Sequence, residues 1–97
     1  MQPLRQGDVI LLPAEQVQGQ RLSHHTLAYG EVTGHQHQIT EGTAELYEKD
    51  GTLYLWVKSS VALLTHEEHH PLQVPQGKWM IRIQREYEPE GWHYVAD

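Results

Sequence analysis

The sequence predicts an all-β fold: a small single-domain barrel or two-sheet sandwich spanning residues 1–97, with little or no helix. Three observations carry this. Glycine and proline recur often enough to cut the chain into segments of roughly five to ten residues, which suits strands and starves helices. Asp50-Gly51, the preferred pair for a type I′ turn, sits between AELYEK and TLYLWVK. After Gly77, Trp79, Ile81, Ile83 and Tyr87 alternate with Met80, Arg82, Gln84 and Glu86, a strong period of two in which Met80 is the exception on the polar side.

Taken in order, Asp8–Leu12 reads as a buried strand closed by Pro13, and residues 15–20 as a polar loop. Leu27–Val32 is a second strand, ended by Gly34. The Asp50-Gly51 turn fixes its hairpin register, so cross-strand partners have numbers summing to 101. Leu46 then faces Leu55 and Ala44 faces Val57, an aliphatic side for the core. Tyr47 faces Tyr54 and Glu45 faces Trp56, an aromatic and polar side that either shields the outside of the barrel or forms an interface. Ser59–Pro71 contains the one stretch with helical character. Proline disfavours the α region in the residue before it, so a strand running into a turn is expected there. The tail GWHYVAD adds a last short strand, for seven to nine in all, and a barrel or sandwich closes that many.

Ninety-seven residues fit one domain. Seven Lys and Arg against 13 Asp and Glu give a formal charge of −6, which repels phosphate and argues against nucleic-acid and anionic-membrane partners. With no cysteine there are no disulfides, thiolate zinc sites, iron–sulfur clusters or cysteine nucleophiles. The apolar run Val9–Leu12 is too short for a signal peptide or a membrane span, so a cytoplasmic protein is expected.

Eight histidines are the outlier. His24 and His25 point to opposite sides of an extended chain, and His93 reads as a surface or packing residue. His35 and His37 share one face of a strand, about 6–7 Å apart at Cβ, which suits two imidazoles on one metal. Glu41 follows four residues later as a further oxygen donor. The alternative is a polar pair on a solvated strand. The run His66-Glu67-Glu68-His69-His70 matches the zinc-protease pattern His-Glu-x-x-His, but that chemistry needs a stable helix, and Pro71 ends any helix at once. In a strand, His66, Glu68 and His70 share a face. In a tight turn, His66 and His69 converge. Spacing does not choose between these, and a metal-free hydrogen-bonded network is the other account.

Gly30, His35-x-His37 and Glu41 resemble the first metal-binding motif of the cupins, with a Gly-to-His spacer one residue shorter than usual. Pro75-Gln76-Gly77 resembles the Pro-x-Gly turn of the second cupin motif. Met80 stands where the family has its third histidine, and Gln84 where an asparagine follows. The chain also resembles a group of small uncharacterised bacterial proteins that share stretches like GEVTGHQH (30–37), HEEH (66–69), Pro-x-Gly (75–77) and QREYEP (84–89). That resemblance implies no activity, but it singles out His35, His37, His66 and His69 as the matching set, and these four are the expected ligands of a divalent transition metal: Zn, Ni, Fe, Mn or Cu. An open coordination position would let the ion polarise a carbonyl or activate water, whereas four protein ligands would make it structural. The rival expectation is a homo-oligomeric structural module. In it Tyr47, Tyr54, Trp56, Trp92 and Tyr94 make interfaces, and the histidines form polar networks without metal. A third is a pH-responsive module, since eight imidazoles charging near pH 6.5 would take the chain from −6 to about +2.

Overall fold

A computed structural model describes residues 2–29, 34–88 and 91–94, with 85–88 and 91–94 described through their backbone alone. The alternating pattern builds strands throughout, and the described residues contain no helix. In chain order they are β1 (Leu4–Gln6), β2 (Val9–Pro13), β3 (Gln20–Leu22), β4 (Thr26–Tyr29), β5 (Gln36–Glu41), β6 (Ala44–Lys49), β7 (Thr52–His66), β8 (His69–Ile83), β9 (Arg85–Glu88) and β10 (Gly91–Tyr94). All pairings are antiparallel. The main sheet runs β1-β2-β8-β7-β5-β4, with β6 also on β7 and β3 on β6, and it curls into a half-barrel. β9 and β10 pair separately. No helix among the described residues is long and apolar enough to cross a membrane.

The Asp50-Gly51 hairpin forms in the expected register, Leu46 with Leu55, Ala44 with Val57, Tyr47 with Tyr54 and Glu45 with Trp56. Asp50 and Gly51 both take positive φ, 53° and 83°, as a type I′ turn demands. The aliphatic side is core: Leu46, Leu55 and Val57 are fully buried, joined by Val9, Leu11, Leu64, Val74 and Trp79. The aromatic side is half-buried and covered by its own cations. Lys58 Nζ lies 4.4 Å and Lys78 Nζ 5.0 Å from the Trp56 ring centre. Tyr47 donates its hydroxyl to Glu45 Oε1 at 2.6 Å, and Glu45 Oε2 pairs with Arg21 and Lys58. The Tyr47 hydroxyl and Lys58 hold the Glu45 carboxyl below its ordinary value.

Two expectations about breaks are corrected. Strands β7 and β8 have 15 residues each, longer than the punctuation suggests. Pro75-Gln76-Gly77 is no turn but lies inside β8, where the register shifts between Val57–Gly77 and Val61–Pro75. Proline is tolerated at such an irregularity because no ladder hydrogen bond is required of it there. The bulge turns β7, which pairs with β6 through Val57 and with β5 from Leu63 onward. Ser59 clamps this corner, accepting the Thr43 N–H at 2.9 Å and donating to the Val61 carbonyl at 2.7 Å. Gly42 fits there because an added Cβ would sit 2.6 Å from the Val61 oxygen.

Candidate metal centre

Strands β7 and β8 meet at a two-residue turn, Glu67-Glu68, with His66 paired to His69 across it. The tight-turn arrangement is therefore the one that forms, and His66 and His69 converge with ring centres 4.6 Å apart. On the other side of β7, β5 pairs in a register where numbers sum to 103, Ile39 with Leu64 and Gln38 with Thr65. Continuing that register brings His37 opposite His66 and His35 opposite Glu68. The side chains agree: the His37 and His66 rings are 4.3 Å apart, and His35 Nδ1 lies 2.8 Å from Glu68 Oε2. One strand pair and one turn thus gather all four imidazoles.

Within this cluster, ligand atoms of His37, His66 and His69 lie within 4.8 Å of one another, and so do those of His35, His66 and Glu67. His37 is the buried floor, 2% exposed. Two residues that sequence reasoning missed hold it. The buried Gln6 donates Nε2–H bonds to the carbonyls of Leu64 (2.8 Å) and His70 (2.9 Å). These bonds orient its amide, so Oε1 must accept from His37 Nδ1–H at 2.9 Å. The other ring nitrogen, Nε2, lies 3.5 Å from Asp8 Oδ1. The only sequence signal for Gln6 is a polar residue at an inward position of a strand.

The turn carboxylates are tied to the site as well. Glu67 Oε1 accepts the Gln36 N–H at 3.0 Å. That amide, with Glu67's own backbone N–H and the nearby His35 and His66, holds the Glu67 carboxyl below its ordinary value. His66 Nδ1 accepts the Glu68 N–H at 3.0 Å, which puts the proton of the neutral ring on Nε2. His35 Nδ1 is buried and has no aligned hydrogen bond; the Glu68 oxygen beside it lies off the bonding direction.

Other candidates lie elsewhere. Glu41 is exposed beyond a register shift in β5 and belongs to neither group. His70 is exposed and serves the site only through its carbonyl. His24 Nδ1 accepts the Thr26 N–H, and His25 Nε2 meets the Ala44 carbonyl at 3.1 Å. Met80, at the cupin third-histidine position, pairs with Leu12 and Tyr54 and lines a cavity with Leu27 and Leu53, away from the histidines. Gly30 and the side chains of Arg85, Glu86, Tyr87, Trp92, His93 and Tyr94 lie outside the described residues.

No curated protein and no solved structure matches the chain. Residues 5–84, which span the half-barrel and every residue of the cluster, match a family defined as a domain of unknown function, DUF8820, and the chain belongs to that family.

Proposed function

We propose that this chain is a small metal-binding protein whose His37, His66 and His69 hold one divalent transition ion. The observation behind this reading is the oriented Gln6 amide. It holds the His37 proton on Nδ1, and ligand atoms, one from each of His37, His66 and His69, lie within 4.8 Å of one another. Outer-shell partners of this kind fix the tautomer and ring angle of metal-ligating histidines. The Asp8 carboxylate adds negative charge beside His37 Nε2. Imidazole donors suit Zn, Ni, Cu and Fe. Three protein ligands leave a tetrahedral ion one open position, where the ion would supply Lewis acidity or an activated water. The His35-x-His37 spacing resembles that of the first cupin motif, but the remaining imidazoles come from a hairpin turn.

The test is metal analysis of the purified protein, together with calorimetric titration of chelator-treated protein with Zn, Ni and Cu. Stoichiometric binding that disappears in His37→Ala and His69→Ala supports the reading. A second reading, a metal-free polar network in a homo-oligomer, is favoured by the His66 Nδ1 bond to the Glu68 amide, which satisfies that ring without an ion. A metal-free, stable oligomer whose melting temperature ignores both chelator and added metal would support it.

A further inference from the structure

We propose that the cluster takes a second metal ion, held by His35, Glu67 and the far nitrogen of His66, so that one imidazolate ring bridges two ions. This rests on the metal-binding reading above. The two ligand groups, His37/His66/His69 and His35/His66/Glu67, have His66 alone in common. An imidazole nitrogen carries one in-plane lone pair, so a ring shared by two ions offers one nitrogen to each. His66 is set up for this. Its Nδ1 lone pair already faces the Glu67-Glu68 turn, where it accepts the Glu68 N–H, and Nε2 lies on the opposite edge of the ring. An ion at Nε2 displaces the proton held there and leaves Nδ1 a stronger donor toward the turn.

His35 supplies an independent sign. Its Nδ1 is buried without an aligned hydrogen bond, although Glu68 Oε2 is 2.8 Å away. Two atoms bound to one ion at about 2.1 Å and at right angles lie about 3 Å apart, with no need for a shared proton between them. The spacing of His35 Nδ1 and Glu68 Oε2 lets this carboxylate join His35, Glu67 and His66 as a further ligand of the same ion. Charge agrees. Asp8 and Glu68 contact His37 and His35, and a Glu67 oxygen lies within 4.8 Å of ligand atoms of His35 and His66. A single dication with neutral imidazoles leaves these three carboxylates in excess. Two dications are balanced by the three carboxylates and one imidazolate. The binding step loses one proton, from His66 Nε2 to solvent, and forms two metal–nitrogen bonds on that ring. The Glu68 N–H passes from Nδ1 to water.

Copper(II) is the probe. Chelator-treated protein is loaded, passed through gel filtration, and assayed for copper per chain and by electron paramagnetic resonance. A His24→Ala/His25→Ala background removes adventitious binding by that exposed pair. Two equivalents are expected, with integrated spin intensity well below that of two isolated ions, because an imidazolate bridge couples them antiferromagnetically. His35→Ala should retain one equivalent with full single-ion intensity, and Glu67→Gln, which keeps side-chain size, should do the same. Circular dichroism matching the parent excludes misfolding. One equivalent in the parent, or two equivalents with uncoupled spins, overturns the bridge but leaves the three-histidine reading standing. Two equivalents retained in His35→Ala also overturns it. No copper at all overturns both.

Discussion

Gln6→Leu is the substitution that most directly tests how this site is built. Gln6 is 3% exposed and makes three side-chain hydrogen bonds, to His37 Nδ1, the Leu64 carbonyl and the His70 carbonyl. Leucine of similar volume leaves three polar groups without that partner, each costing about 1–3 kcal/mol when it cannot reach water. The His70 end of the network is part-buried, so its carbonyl recovers some solvation. The apolar side chain regains about 1–2 kcal/mol from burial. A net loss of about 2–5 kcal/mol is expected, a large share of a total stability of about 5–15 kcal/mol. Urea denaturation of metal-free protein measures it independently of any ion. At the same time metal affinity should fall about 10- to 100-fold, because His37 loses the partner that fixes its tautomer. A Gln6→Leu protein within 0.5 kcal/mol of wild type, as a rough limit for an unimportant surface change, would refute the claim that this amide organises the site.

Three further outcomes follow from the geometry. Gly51→Ala should cost about 1–2 kcal/mol from its positive φ alone, since open space surrounds the added methyl. Gly42→Ala, whose methyl meets the Val61 and Ala62 backbone, should cost about 1–3 kcal/mol more; equal values in chemical denaturation would count against the corner packing. Glu45, with its carboxyl lowered by Tyr47 and Lys58, contributes stability above its ordinary value of 4.5 that is lost as pH falls through the lowered folded value. Glu45→Gln should therefore flatten the acid limb of a stability-against-pH curve, and an unchanged limb would exclude this cluster as its source. Metal-dependent stabilisation should fade below about pH 6, where protons compete for imidazole; a melting-temperature shift on metal addition that is undiminished at pH 5 would contradict histidine ligation.

Local chemistry is legible in this sequence wherever one short segment decides the outcome. Asp50-Gly51 determines the turn, the turn determines the register, and period two then sorts Leu46 and Leu55 from Tyr47 and Tyr54. The same period puts His35 and His37 on one face, and the Glu67-Glu68 turn brings His66 to His69. What the sequence leaves open is decided by contacts between distant segments. The β5–β7 register sets His37 against His66, and it depends on how the Ser59 bulge steers β7. Gln6 lies 31 positions from His37, and only the curl of the sheet brings β1 to β5. The expected turn at Pro75-Gln76-Gly77 is a strand for the same reason. A proline can mark a turn or a bulge, and which it marks depends on whether a partner strand is there to continue the ladder, as β7 is here.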